Sequence, residues 1–192
     1  MNIVGLLLAA GSATRFGSDK LQHRLPHGVS IAVQAARHLR QGVPRIIAVV
    51  RPAAEPLSTQ LRNEGCEVAV CDNASEGMGA SLACGVRAAG RADGYLVALA
   101  DMPFVRPSSI AAVRDALAGG AALAAPYFRS RRGHPVGISG AFFDELVALR
   151  GDEGARQLLA REATRLRKLP VGDAGVIRDI DTPEDLAPPV RV

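Results

Sequence analysis

The chain alternates short apolar runs of strand length with amphipathic stretches of helix length, and this alternation limits the folds that it can adopt. The runs at residues 3–10 and 95–100 are apolar without interruption. Strands that are apolar at every position are buried on both faces. Such strands, separated by helices, predict βαβ units, which build a mostly parallel sheet with helices on both sides.

The second half of the chain is less regular than the first, and we expect one of its strands to run antiparallel. The predicted fold is therefore α/β: a single-domain, Rossmann-like three-layer α/β/α sandwich with a mostly parallel sheet containing one antiparallel strand. Ligands of such sheets bind at the carboxyl ends of the strands. We predict strands at residues 3–10, 45–50, 67–71, 95–100, 123–127, 136–139, 166–169 and 176–180, and helices at residues 30–41, 54–64, 78–89, 107–117, 142–149 and 155–162.

The composition excludes several kinds of protein. With 192 residues, 48% of them hydrophobic, the chain has material for one core, so we expect a single domain over residues 1–192. A net charge of +4, 4% aromatic residues and no tryptophan argue against a nucleic-acid surface. The apolar run at residues 3–10 is too short to span a bilayer, so no membrane partner is expected. Cys66, Cys71 and Cys84 form no C-x-x-C pair, which indicates a reducing, cytoplasmic location.

A polar loop with the pattern G-x-x-x-R-x-G-x-x-K follows the first predicted strand, over residues 11–20. Its backbone N–H groups and the side chains of Arg15 and Lys20 predict a phosphate site. The loop is not a Walker A motif, because Gly17 is followed by serine and aspartate rather than by lysine. A dinucleotide fingerprint is also a poor match, since the nearest candidate, residues 77–82, ends in leucine. The alternative is an ordinary turn with two solvated cations.

Asp101 follows an apolar strand, where a carboxylate is costly unless a cation meets it. A magnesium ion held by one or two carboxylates and by substrate phosphates would supply that charge. The alternative is that Asp101 caps the next helix or pairs with an arginine. Asp179 and Asp181 are two positions apart, so on an extended segment they project to the same side. Thr182 and Asp185 fit a helix cap, which leaves Asp181 for the metal.

Taken together, these motifs resemble the MobA-like nucleotidyltransferases, and most closely the molybdopterin cytidylyltransferase branch, which makes molybdopterin cytosine dinucleotide. The resemblance covers nearly the whole chain. It is carried by residues 8–11 with Arg15, Gly17 and Lys20, and by residues 76–82, 100–103, 132–136, 151–156 and 179–183.

The resemblance implies a nucleotide site and a metal site. It implies nucleotide contacts at Leu8, Ala9, Ala10, Gly11, Ser12, Arg15, Lys20, Gly77, Met78, Gly79, Ser81 and Asp101, catalytic roles for Arg15, Lys20 and Asp101, and Mg2+ on Asp101 and Asp181. Gly77 and Gly79 let backbone approach a flat base closely. Met78 and Ser81 differ from the Gly-Pro-Leu-Ala-Gly-like segment typical of the guanylyltransferases, which favours cytosine.

On the acceptor side, His134 follows two arginines, a setting that suits an anionic acceptor, although a histidine there is also explained by a structural role. Asp152 and Arg156 lie in a segment that resembles the acceptor motif of the family. The alternative interpretation of this segment is an ordinary turn before a helix. The resemblance thus divides the chain into an NTP-binding half, residues 1–105, and an acceptor-binding half, residues 106–192.

The predicted activity is magnesium-dependent transfer of CMP from CTP to the terminal phosphate of molybdopterin, with release of pyrophosphate. A guanylyltransferase, another NTP:sugar- or polyol-phosphate nucleotidyltransferase, or a non-catalytic molybdenum cofactor carrier remain as alternatives. The expected partners are CTP or another NTP, molybdopterin or the molybdenum cofactor and, from the resemblance, a molybdenum oxidoreductase that docks transiently. No nucleic acid is expected.

Overall fold

The computed structural model describes residues 1–11, 20–152 and 154–186, and an eight-stranded sheet runs through it. The strands are β1 (Ile3–Leu8), β2 (Arg45–Val50), β3 (Glu67–Val70), β4 (Gly94–Leu99), β5 (Leu123–Phe128), β6 (Arg131–Arg132), β7 (Val136–Ser139) and β8 (Leu166–Pro170). The α-helices are α1 (Ile31–Gly42), α2 (Leu57–Asn63), α3 (Met78–Ala89), α4 (Pro107–Ala118), α5 (Phe143–Val147) and α6 (Arg156–Arg161).

The sheet is mixed, with a parallel first half. Its strands follow the order β3-β2-β1-β4-β7-β5, and both β6 and β8 pair with β5. The first four strands in the chain are mutually parallel, and β5 and β8 are parallel to each other. In contrast, β7 runs antiparallel to both β4 and β5. The predicted mostly parallel sheet with an antiparallel strand is confirmed, and the two-residue β6 is a further antiparallel element.

Helices cover both faces of the sheet, as the apolar strands predict. In β1, Ile3 and Leu7 pack into the cluster that contains the apolar side chains of α1, α2 and α4. Leu6 and Leu8 point to the other face and pack with those of α3, α5 and α6. Because successive side chains of a strand alternate between faces, one buried strand supplies both cores. The three-layer architecture is confirmed.

One predicted strand is wrong. Residues 176–180 were expected to be extended, but Ala174–Ile177 forms a 3-10 helix. Gly175 packs so closely on the Phe104 carbonyl that a Cβ would lie 2.1 Å from its oxygen. The Asp173 carboxylate also accepts a hydrogen bond from the Gly175 N–H at 3.0 Å. The backbone groups of this segment are therefore satisfied by turns and loops rather than by a neighbouring strand.

Three predicted helices are shorter than expected, among them α6, which covers Arg156–Arg161 of the predicted residues 155–162. Helix α2 begins at Leu57 rather than at residue 54, because Pro56 disfavours helical backbone in the residue before it. Helix α5 covers only Phe143–Val147 of the predicted residues 142–149.

Three further expectations concern the first loop, membrane-spanning helices and the cysteines. The predicted site residues Ser12 and Arg15, together with Gly17, lie outside the described residues. Within the ranges given above, every helix falls short of the length and apolar character that crossing a bilayer requires. All three cysteines are described, and each is a free thiol.

Candidate functional site

A cavity of about 910 Å³ opens where β1 to β4 end. This volume is within the range of roughly 300–1,000 Å³ that small-molecule sites occupy. Because β1 and β4 are parallel neighbours, with Leu8 paired to Leu99, the loops after them start at the same edge of the sheet. The described residues that line the cavity are Leu8, Ala10, Gly11, Lys20, Leu21, Arg51, Pro52, Asp72, Ala74, Ser75, Glu76, Gly77, Met78, Ser81, Leu99, Asp101, Asp152 and Asp181.

Lys20, Asp101 and Asp181 meet at one point of this cavity. The Lys20 Nζ donates a hydrogen bond to Asp101 Oδ2 at 3.0 Å and another to Asp181 Oδ1 at 3.2 Å. The Lys20 side chain is 11% exposed, that of Asp101 26% and that of Asp181 49%. Three residues that the sequence analysis assigned to one phosphate and metal site therefore lie together, at the edge of the sheet where such a site was predicted.

Backbone contacts bring the late segment of the chain to Asp101. The Ile180 N–H donates to the Asp101 carbonyl at 2.9 Å, which fixes the neighbouring Asp181 beside the end of β4. Asp185 then accepts hydrogen bonds from the N–H groups of Asp181 and Thr182 and from the Thr182 hydroxyl. These hydrogen bonds, that of the Thr182 N–H first, lower the pKa of Asp185. Asp185 thus holds the turn, and the Asp181 side chain reaches the cavity.

The charge of Lys20 is maintained by its partners. Burial lowers the pKa of Lys20, but the charge and hydrogen bond of Asp101, together with those of Asp181, outweigh burial and raise it above the ordinary value of 10.5. The side chain is therefore an ammonium at neutral pH, and its single positive charge offsets part of the repulsion between the two carboxylates.

The residues present fit a divalent cation with a preference for oxygen ligands. Asp101 and Asp181 already hold one cation, the Lys20 ammonium, between them. Within the described part of the chain, groups of three or more His, Cys, Asp or Glu side chains that could hold a metal are absent. Two carboxylates are the protein share that Mg2+ commonly takes, because it keeps waters and binds substrate phosphates with its other positions.

A loop from the second half of the chain packs on the start of α3. The Gly151 carbonyl accepts from the Gly79 N–H at 2.8 Å, and Asp152 Oδ1 accepts from the Met78 N–H at 3.3 Å. The N–H groups at this helix start are consequently bonded to protein. A Cβ at Gly77 would lie 2.5 Å from the Asp152 Cα, and one at Gly79 would lie 2.7 Å from the Arg150 carbonyl oxygen.

This packing corrects the reason given for the two glycines. Gly77 and Gly79 were predicted to make room for a base, whereas the backbone of residues 150–152 occupies the space where their Cβ atoms would lie. Gly77 also has a φ of +126°, which favours glycine. Gly77, Met78 and Ser81 do line the cavity, so their predicted nucleotide contacts stay predictions; the lining residues described above do not include Gly79 or Ala9.

The three predicted acceptor residues lie in different parts of the structure. Asp152 lines the cavity, whereas Arg156 is exposed at the start of α6. His134 lines another, much smaller cavity together with His38 and Met102. Burial lowers the pKa of His134, and its Nδ1 lies 3.4 Å from the Val97 carbonyl oxygen. The structure thus brings Asp152, but neither His134 nor Arg156, to the wall of the large cavity, and the acceptor role of all three stays a prediction.

Two charged residues of the cavity, Arg51 and Asp72, are not among the site residues predicted from the sequence. Arg51 directly follows β2, and Asp72 comes two residues after β3. Both are among the first polar residues after a strand of the parallel sheet, a signal that Asp101 shares, although β3 itself is partly exposed. Applying it to all four parallel strands would have found them.

A mixed α/β sheet with a nucleotide-sized cavity and converging lysine and aspartates at the carboxyl ends of its strands defines a nucleotidyltransferase domain. The chain belongs to the MobA-like NTP transferase family, whose domain model matches residues 5–167. Among curated proteins, it is 30% identical to the purine catabolism protein PucB of Bacillus subtilis, over 95% of this chain and 93% of PucB.

Solved structures share the fold. Rv0371c from Mycobacterium tuberculosis is 27% identical, with a TM-score of 0.83 over 96% of this chain and 94% of that one. A manganese complex of Rv0371c has a TM-score of 0.76 at 26% identity, with 96% of each chain covered. Molybdopterin-guanine dinucleotide biosynthesis protein A from Archaeoglobus fulgidus, at 19% identity, has the same fold with a TM-score of 0.65 over 95% of this chain and 94% of that one.

Proposed function

We propose that this nucleotidyltransferase transfers CMP from CTP to the terminal phosphate of molybdopterin and releases pyrophosphate, with Mg2+ as its metal. The observation that carries the proposal is the meeting of Lys20, Asp101 and Asp181 at one point of the cavity. A phosphoryl-transfer site requires a cation for the phosphates and oxygen ligands for a metal, and this arrangement supplies both. Cytosine and the pterin acceptor rest on the motif resemblance.

The chain's contribution to the reaction is positioning and charge stabilisation. The acceptor phosphate attacks the α-phosphorus of CTP in line with the departing pyrophosphate, so the reaction requires no protein nucleophile. Lys20, with Arg15 from the same loop, holds the β- and γ-phosphates as negative charge develops on the leaving group. Asp101 and Asp181 would hold Mg2+, which when bound neutralises charge on the phosphate oxygens.

The charges of the cavity support a metal-dependent nucleotide site. Its described lining carries five carboxylates and two cations, so an anionic triphosphate entering alone would be repelled. The metal and Arg15 would offset that excess. The carboxylates are Asp72, Glu76, Asp101, Asp152 and Asp181, and the cations are Lys20 and Arg51.

Gly11 supports a ligand at the end of β1. Among the residues that the structure describes, a Cβ at this position would meet nothing within 4 Å. Contacts inside the described chain therefore give no reason for a glycine here, unlike at Gly77 and Gly79. A bound nucleotide that approaches the backbone closely would give one.

The acceptor half offers guanidinium groups at the same edge of the sheet. Arg131 and Arg132 pair with Phe128 and Tyr127 at the end of β5, which runs in the same direction as β4. Both arginines are exposed, and within the described chain neither forms an ion pair. By contrast, arginines of other faces are neutralised by glutamates, as Arg37 is by Glu64. Uncompensated guanidiniums suit a phosphate-bearing acceptor.

The remaining expectations follow the same proposal. Residues 1–105 supply most of the cavity wall and would bind CTP, and residues 106–192 would bind the acceptor. Asp72 in the wall can accept a hydrogen bond from a base amino group such as that of cytosine. Three free thiols suit the cytoplasm, where a molybdenum oxidoreductase would receive the product.

Thermal-shift titration with CTP, GTP, ATP and UTP in the presence of Mg2+ tests the nucleotide. A ligand that binds only the folded protein raises its melting temperature. We expect a saturating shift with CTP and a much smaller one with the other three. A larger shift with GTP would replace cytidylyl by guanylyl transfer, and no shift with any of them would overturn the nucleotide site.

A further inference from the structure

The Lys20 ammonium occupies the position that a metal would take. Its Nζ lies 3.0 Å from Asp101 Oδ2 and 3.2 Å from Asp181 Oδ1, so both proposed metal ligands already hold a cation. Of the three side chains, that of Lys20 is the most buried, with 11% exposure. The contact is therefore an internal feature of the cavity rather than a solvated surface pair.

A divalent cation and this ammonium exclude each other. A metal bound to Asp101 and Asp181 would lie close to the Lys20 Nζ, and two positive charges at such a distance repel strongly in a partly buried site. Metal binding therefore requires the ammonium to leave. Without another anion nearby, leaving would give up two charge-assisted hydrogen bonds and would place a buried cation without a partner.

A triphosphate changes this balance, because it offers Lys20 new anionic partners in the same cavity. The lysine side chain has four methylene groups, so its ammonium can move from the carboxylates to phosphate oxygens without movement of the backbone. The ammonium then no longer repels a metal at Asp101 and Asp181. Since coupling between two ligands is reciprocal, the metal must strengthen nucleotide binding by the same factor.

We propose that Lys20 closes the metal site of the free protein, so that the divalent cation binds together with the nucleotide and not before it. Lys20 thereby acts as a positioning residue that keeps Asp101 and Asp181 together until the substrate arrives. This inference rests on the proposed function in taking the two aspartates as metal ligands.

The test measures Mn2+ binding by electron paramagnetic resonance, with and without CTP, in the wild-type protein and in Lys20→Met. The wild type should bind Mn2+ weakly alone and roughly tenfold or more tightly with CTP. Lys20→Met should bind Mn2+ alone more tightly than the wild type, because the ammonium that repels the metal is absent, and should gain much less from CTP.

Lys168 is the other lysine of the chain and provides the control. Its ammonium lies over the Tyr127 ring, and Lys168→Met should bind Mn2+ as the wild type does. Equal or weaker Mn2+ binding by folded Lys20→Met, in the absence of nucleotide, would overturn the proposal. So would wild-type Mn2+ affinity that CTP leaves unchanged while CTP itself binds.

A measurement on the wild-type protein covers the case in which Lys20→Met does not fold. With only two lysines, 15N-lysine labelling gives two side-chain ammonium signals. The Lys20 signal should change little with Mg2+ alone and should move when CTP is added. Saturation of its shift by Mg2+ alone would contradict the proposal. If GTP rather than CTP shifts the Lys20 signal, the assignment of cytosine as the base is wrong, whereas the proposed role of Lys20 is supported.

Discussion

At the scale of single residues, the site depends on side chains that distant segments deliver to one point. Lys20 follows the first loop, Asp101 follows β4, and Asp181 is fixed by the bond from the Ile180 N–H to the Asp101 carbonyl. The sequence could identify each of these residues from its place after a strand or in a motif. It could not show that Lys20 contacts the two aspartates, because that contact depends on packing between segments far apart in the chain.

Replacement of Asp101 by asparagine should slow the reaction. Asp101→Asn removes one metal ligand and one of the two anionic partners of Lys20, and we expect turnover to fall roughly 10²-fold or more. Pyrophosphate release from CTP and molybdopterin measures the effect. Asp179→Asn is the matched control, because Asp179 is exposed and does not belong to the described cavity wall. A change of only a few fold in Asp101→Asn, or an equal loss in the control, would contradict the metal assignment.

Gly11→Ala should separate ligand binding from stability. Its Cβ would lie within 4 Å of no atom of the described residues, so the free energy of unfolding should change by no more than about 0.5 kcal/mol. The thermal shift produced by CTP should nevertheless decrease, because the added methyl group lies where the nucleotide approaches the backbone. Urea unfolding and the CTP titration measure the two quantities. A full CTP shift in Gly11→Ala would remove this residue from the nucleotide site.

At the scale of elements, alternation of apolar runs predicted the sheet and most helices, because burial of strands and helix faces is a local property of the sequence. The exception is residues 176–180, which are apolar enough for a strand. Gly175 packs on the Phe104 carbonyl, and residues 174–177 form a 3-10 helix instead of pairing with a neighbouring strand. The packing of Gly77 and Gly79 also depends on a distant segment of the chain. Their pattern indicated close approach, and only the structure shows that the approaching group is the backbone of residues 150–152.

Gly79→Ala tests the contact between α3 and the residues 150–152. Its Cβ would lie 2.7 Å from the Arg150 carbonyl oxygen, so the backbone must shift and the free energy of unfolding should fall by about 1–3 kcal/mol. Gly172→Ala, whose Cβ would meet nothing within 4 Å, should be close to neutral. Urea unfolding of both variants measures the difference in the free energy of unfolding. Equal values would mean that residues 150–152 shift to accommodate the added methyl group without loss of stability.

The hairpin that carries β6 offers a test of the acceptor half. Arg132→Gln should raise the KM for molybdopterin about tenfold and leave the KM for CTP unchanged, because a charge-assisted hydrogen bond to the acceptor phosphate is lost. Arg167→Gln, an exposed arginine in β8, is the control and should change neither constant. A rise in the KM for CTP instead would place Arg132 on the nucleotide side of the cavity.

At the scale of the whole molecule, one edge of the sheet gathers both halves of the proposed site. The loops after β1 to β4 line the cavity, the hairpin after β5 lies at the same edge, and residues 150–152 from the second half of the chain pack on the start of α3. Beneath this edge lie two imidazoles, His38 and His134, that line the small cavity between α1 and the end of β4. Their burial links the stability of the molecule to pH.

Burial lowers the pKa of both His38 and His134 below the ordinary value of 6.5. As the pH falls through about 6.5, the unfolded chain therefore takes up protons before the folded protein does, and the free energy of unfolding decreases. Urea unfolding at about pH 7.5 and about pH 5.5 measures this decrease in a range above the titration of ordinary carboxyl groups. A double variant, His38→Gln with His134→Gln, should lose less stability between the two pH values than the wild type. A wild-type protein equally stable at both pH values would show that neither ring is held neutral by the fold.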